Sequence, residues 1–271
     1  PYIALFAVLL VAVAVVYALR DQITRRSTRK NKWPVNGFKY SFWAISMAWV
    51  GFGLMAQPSI TQVLTWFHSV LFQWTWSLFL SDPFIFLFWI FIIVTVFLFG
   101  RGLFCGWMCP FGSLQESIYK IARLVGLGRF QTKLPQKWHD RLKWLKYAVF
   151  FALLAVSMFS MGMAEKLAEV EPFKTTFLVG VMNRAWPYGL FVAAILGVSI
   201  FIERPYCKYI CPLGASLAMP STFRWFGLKR KQDCNSCKAC AVGCGAQAID
   251  VDGRIDHRER LHRLDCMVLY T

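Results

Sequence analysis

Long apolar runs, separated by polar and mostly basic stretches, set the pattern of this chain. Five runs contain no Asp, Glu, Lys or Arg: Pro1–Leu19, Tyr40–Ala56, Pro83–Gly100, Tyr147–Ala164 and Ala185–Ile202. A spanning helix needs about 20 mainly apolar residues, and each run meets or approaches that length. The pattern therefore predicts a mainly α, polytopic membrane protein with about five transmembrane helices. Residues 1–203 read as the transmembrane domain and 204–271 as a small cytoplasmic tail. Gln115–Leu127 is amphipathic and is expected to lie on the inner membrane surface.

Composition agrees with the pattern. Hydrophobic residues make up 57% of the 271 and charged ones only 16%, against about 25% charged in soluble domains. Disordered, collagen-like and nucleic-acid-binding chains are excluded. The net charge of +16 then reports topology and not a nucleic-acid partner. Counted between the runs, Lys and Arg number seven in Arg20–Lys39, none in Gln57–Asp82, nine in Arg101–Lys146, three in Glu165–Arg184 and eleven in Glu203–Thr271. Alternate segments hold 27 against 3. Basic loops stay in the cytoplasm, so the expected placement is the bacterial inner membrane, N-terminus periplasmic and tail cytoplasmic. The external segment Gln57–Asp82 carries Trp66, Phe67, Phe72, Trp74 and Trp76. These rings suit the headgroup layer or one wall of a quinone pocket, where His68 would take a quinol proton.

All nine cysteines fall at or beyond the cytoplasmic face in this topology. That compartment keeps thiols reduced, so clustered cysteines point to metal or redox chemistry. The strongest signal is Cys234-x2-Cys237-x2-Cys240-x3-Cys244, the spacing of a bacterial ferredoxin cluster site. Structural zinc prefers separated knuckles. Asp252-Gly253 between apolar residues predicts a hairpin turn, and with it a ferredoxin-like α+β tail. Two departures stand out: Gly245 replaces the proline that follows the fourth cysteine, and Cys266 begins a second motif that is not completed. Cys244 therefore pairs either with Cys234, Cys237 and Cys240 or with Cys266.

An internal repeat adds four more thiols. Residues 101–114 contain Cys105-x3-Cys109-Pro110-x-Gly112, and 204–217 contain Cys207-x3-Cys211-Pro212-x-Gly214. Each follows a predicted span. Residues four apart share a helical face, so each pair can offer two thiolates to one acceptor. Proline suits the first turn of the helix that follows. Matched pairs at two span ends suggest a pseudo-twofold arrangement of four thiolates. Two cubane clusters need about eight cysteines, and three assignments stay open. The tail holds one cluster and the pairs another; or the tail holds both with downstream ligands; or the pairs complete tail clusters docked at the membrane.

The segments Ser81–Trp89, Cys105–Ser117 and Arg204–Ala218, with the CxxCxxCxxxCG run and its defective second motif, resemble the NosR/NapH group of membrane polyferredoxins, the NosR type more closely. That resemblance covers nearly the whole chain. It implies one or two 4Fe-4S clusters on Cys105, Cys109, Cys207, Cys211, Cys234, Cys237, Cys240, Cys244 and Cys266. It implies electron supply to nitrous oxide reductase in denitrification, with quinol as a candidate donor. It also implies an external FMN domain of the full-length protein before Pro1. Pro at position 1 and a polar end at Thr271 fit a piece of a longer protein. The reading is a redox component and not a stand-alone enzyme. A NapH-type quinol dehydrogenase component and an iron–sulfur sensor or assembly protein are the alternatives. A transporter is disfavoured because no ionisable residue lies within a predicted span.

Overall fold

The computed structural model describes residues 2–19, 22, 33–55, 57–72, 82–169, 171–178, 185–226, 241–242, 244–250, 254–256 and 258–259. The architecture is mainly helical, as the apolar runs predict. The helices are α1 (Tyr2–Ala18), α2 (Trp33–Ile45), α3 (Ile60–Phe72), α4 (Pro83–Phe99), α5 (Pro110–Leu124), α6 (Gln136–Leu142), α7 (Leu145–Phe159), α8 (Met161–Ala168), α9 (Trp186–Phe201), α10 (Pro205–Tyr209) and α11 (Pro212–Ala218). Wider π-helical turns occupy Ser46–Gly53, Phe104–Met108 and Lys174–Leu178.

The five expected spans are not all confirmed. Among the described residues one helical run, Gln136–Phe159 with 24 residues, is long and apolar enough to cross a membrane. It begins earlier than the expected Tyr147 and stops at Ser160, whose extended backbone (φ −156°, ψ 112°) ends α7 and whose hydroxyl caps α8 at Met163. Tyr2–Ala18, Pro83–Phe99 and Trp186–Phe201 are apolar but shorter. At 17 residues, α1 and α4 rise about 26 Å, just under a hydrocarbon core of about 30 Å. In the second run the α-helix gives way at Ser46 to the π-helical turn.

The expected ferredoxin-like α+β tail is not confirmed either. Among the described residues, β structure is a single antiparallel bridge, Ile249 with Ile255. It is flanked by Asp250 N–H donating to the Arg254 carbonyl (2.9 Å) and Asp256 N–H donating to that of Ala248 (2.8 Å). The Asp252-Gly253 turn lies outside the described residues.

The chain divides into two compact units. The first comprises residues 1–46, 87–109 and 217–271. Its core comprises a helical stripe, Phe6, Leu10, Val13 and Tyr17, together with Phe88, Ile92, Phe104 and Trp107, all buried. Rings meet edge-on at Phe6–Phe88 (5.5 Å), Tyr17–Phe99 (4.9 Å) and Phe88–Phe104 (5.4 Å). Two side chains of the α2 segment fasten the turn around 104–108. Trp43 Nε1 donates to the Gly106 carbonyl (3.1 Å), and Ser46 Oγ donates to that of Met108 (2.6 Å).

The second unit comprises residues 47–86 and 110–216. Here Tyr147, Phe150, Leu153 and Ser157 form the buried stripe of α7, and Val192, Ile195 and Ser199 that of α9. The start of α3 is held by a carboxylate from another segment. Glu171 accepts from Ser59 Oγ (2.6 Å) and from the Ile60 N–H (3.3 Å). Burial raises its pKa from 4.5 to about 7, against the lowering pull of those two hydrogen bonds and of Lys174. Glu171 lies between α8 and the Lys174–Leu178 turn, outside the expected spans.

A carboxyl raised on folding binds its proton more tightly in the folded state. Its stabilising contribution is complete below about 4.5 and is lost as pH rises through about 7. Thermal unfolding of the detergent-solubilised protein is therefore expected to show a stability decline over that window. Glu171→Gln, which cannot ionise, is expected to flatten it.

Candidate functional site

Both C-x3-C-P segments close their turns in the same way. Cys109 N–H donates to the Phe104 carbonyl and Cys211 N–H to the Tyr206 carbonyl, each five residues back and each at 2.9 Å. In the first repeat the turn is π-helical over Phe104–Met108, a form concentrated at functional sites; in the second, Pro205–Tyr209 is α-helical and the same bond closes its end. Proline then opens the next helix at Pro110 and Pro212. In the second repeat the Gly214 N–H points back and donates to Cys211 Sγ at 3.3 Å. A backbone donor of this kind favours a thiolate or a cluster-bound sulfur.

Each repeat is introduced by an arginine that is buried and ion-paired. Arg204 meets Glu116 of α5 at 2.6 Å, both side chains at 0% exposure. Arg101 meets Glu259 at 3.0 Å, likewise buried. Tyr209, inside the second repeat, shares a 3.0 Å hydrogen bond with Nδ1 of the buried His139 on α6. Tyr206 packs edge-on against Phe111 (5.6 Å). None of these partners was singled out from sequence. An arginine three or four residues before each pair was the available signal; Glu116, Glu259 and His139 carry none.

Cys105, Cys109, Cys207 and Cys211 are half-buried and Cys244 is buried, none of them in a disulfide. Cys105 packs against the apolar cluster of Cys244, Ala246, Ala248 and Ile249 in the first unit. Cys109 belongs to that unit, whereas Cys207 and Cys211 belong to the second. Cys234, Cys237, Cys240 and Cys266 lie outside the described residues. Among the described residues no three His, Cys, Asp or Glu side chains converge as a metal site. The donor set nevertheless fits iron–sulfur chemistry: reduced thiols, partial burial and an N–H aimed at sulfur are what such clusters use.

Comparison with known proteins points the same way. A family model for a 4Fe-4S binding domain matches twice, over residues 81–128 and 185–231, once around each C-x3-C-P segment. A NosR family model matches residues 232–271. The chain is 40% identical over 268 residues to the regulatory protein NosR of Stutzerimonas stutzeri, covering 97% of this chain and 36% of that protein. It is 39% identical over 271 residues to the protein NirI of Paracoccus denitrificans (strain Pd 1222), covering 99% and 39% respectively. The ferredoxin-type protein NapH of Haemophilus influenzae is more distant, 24% identical over 148 residues, 54% of this chain and 48% of that protein. The chain thus spans little more than a third of the NosR and NirI relatives. No solved structure matches.

Removing one member of a buried ion pair leaves an uncompensated charge and costs about 3–5 kcal/mol. Glu116→Ala is expected to lower the stability of the solubilised protein by that amount, read by thermal or denaturant unfolding. The double change Glu116→Leu with Arg204→Met is expected to recover most of the loss, since hydrophobic replacement of a buried pair is often neutral.

Proposed function

The chain is a NosR/NirI homologue over nearly its whole length, and from that premise we propose that it is the membrane electron-transfer section of a NosR-type protein, serving nitrous oxide reduction in denitrification. The observation that carries this reading is the double 4Fe-4S match, one around each C-x3-C-P segment, together with the common hydrogen bond that closes both. Bound at such thiolates, an iron–sulfur cluster takes up and releases one electron at a time.

The protein's own residues supply the rest. Cys234, Cys237 and Cys240 are the ligands of a tail cluster, by their spacing. Cys105 and Cys109 in the first repeat, and Cys207 and Cys211 in the second, hold or flank redox centres at the membrane face. Gly214 donates to Cys211 Sγ and stabilises negative charge there in either oxidation state. The buried pair Arg204–Glu116 adds no net charge and keeps the second repeat in register.

Membrane insertion is supported by the outer faces of the helices. α1 is apolar all round, with one stripe buried and the opposite one, including Val8 and Val11, more than half exposed. A helix that is apolar on an uncovered face belongs in lipid. The exposed Ile93 and Phe97 of α4 and Leu190 and Val198 of α9 extend the argument. With the 27-to-3 charge split, five spans and a cytoplasmic tail follow under the positive-inside rule. A bilayer core of about 30 Å is too thick for one short electron hop, so a quinol or a further centre would bridge it toward an external flavin domain.

Cys109→Ala and Cys211→Ala in the full-length protein are expected to abolish nitrous oxide reduction in cells while leaving the protein inserted and at normal abundance. Retention of full activity by both would remove these thiols from the electron path. Reporter fusions at Ser69 and Asp252 are expected to give external and internal signals respectively; the reverse would overturn the orientation.

A further inference from the structure

Three tethers seat the tail on the first repeat within one compact unit. The N–H groups of Trp225 and Phe226 donate to the carbonyls of Phe97 and Leu98 at 2.9 and 2.8 Å, at the end of the helix that leads into the repeat. The rings of Phe99 and Phe226 lie 5.9 Å apart. Arg101, which opens the repeat, is ion-paired with Glu259 of the tail at 3.0 Å, exposed by only 2% and 5%. In the same unit Cys244 is buried with Ala246, Ala248 and Ile249, and Cys105 packs against that cluster. A repeat thiol and a tail thiol, distant in sequence, therefore meet at one apolar cluster.

Packing alone accounts poorly for this arrangement. Small apolar residues and cysteines can fill a core in many registers, and such docking has no use for a buried ion pair. Burying Arg101 and Glu259 costs desolvation that their attraction barely repays, and the best-attested use of such a pair is to fix register. Register matters when two segments must place ligand atoms on one centre to within about half an ångström. The second repeat is built differently: its arginine is held by Glu116, and Cys207 and Cys211 belong to the other unit.

We infer that Cys105 and Cys244 are ligands of one iron–sulfur cluster at the seam between the first repeat and the tail, with Arg101 and Glu259 holding the two contributors in register. On ligation each thiol gives its proton to solvent and its sulfur forms one Fe–S bond. The iron and sulfide arrive as the assembled cluster, and no electron is gained or lost in the step. Cys244 is thereby separated from the Cys234-Cys237-Cys240 run, as the fourth cysteine of a motif is in two-cluster ferredoxins. The inference rests on reading the chain as an iron–sulfur protein.

The test uses the full-length protein purified anaerobically, with iron and labile sulfide counted and EPR spectra recorded on the reduced form. Cys105→Ser and Cys244→Ser are each expected to remove or alter the same signal. Each is expected to lose up to about four irons per chain, and the double variant no more than either alone. Loss of two different signals, or iron losses that add in the double variant, overturns the shared site. Glu259→Gln keeps every thiol and releases only the ion pair; it is expected to shift or broaden that same signal, and an unchanged spectrum overturns the register role. A wild-type protein without iron and sulfide would instead defeat the iron–sulfur reading itself.

Discussion

A guanidinium cannot leave water alone, and the arrangement of the second repeat follows from that constraint. Arg204 is wholly buried and brings Glu116 with it at 2.6 Å. Glu116 sits on α5, the helix that starts directly after Cys109, while Arg204 stands directly before α10, which carries Cys207. One electrostatic contact thus ties the helix behind the first cysteine pair to the turn in front of the second. Arg204 itself adopts left-handed backbone angles, φ 51° and ψ 55°. That conformation costs a non-glycine residue about 1–2 kcal/mol and persists where surrounding contacts over-determine it. The ion pair is such a contact, and the tight reversal it holds converts the end of α9 into the start of the cysteine turn.

Around this frame the thiols acquire their chemical setting. At Cys109 and Cys211 an N–H bonded to the carbonyl five residues back closes the preceding turn, and proline then forbids the old helix from continuing. The result is a cysteine at the junction of two helices, able to accept from the N–H groups of the second. For Cys211 that donor is the Gly214 N–H. The buried His139–Tyr209 contact anchors the same turn through a side chain.

Much of this was legible in the sequence, and unevenly so. The apolar runs foretold the helices because hydrophobic burial and lipid exposure both write continuous apolar text. They misjudged helix length because nothing in composition marks Ser160 as a cap or Ser46 as the start of a wider turn. The repeat at Cys105–Cys109 and Cys207–Cys211 was readable from matched Cys, Pro and Gly positions. Its partners were not: Glu116, Glu259 and His139 look like ordinary polar residues until the fold brings them beside an arginine or a tyrosine. The hairpin expected at Asp252-Gly253 had a local signal, and the Ile249–Ile255 bridge lies on either side of it. The assignment of Cys234, Cys237, Cys240 and Cys266 still rests on spacing alone.

The central claim is that these cysteines hold redox-active iron and not a structural ion. The most direct measurement is a potentiometric titration of the full-length protein in lipid nanodiscs, followed by EPR, with metal and labile sulfide counted on the same sample. The account predicts about four irons and four sulfides per cluster and reversible one-electron signals that appear on reduction. A colourless, EPR-silent protein carrying stoichiometric zinc and no labile sulfide would contradict it.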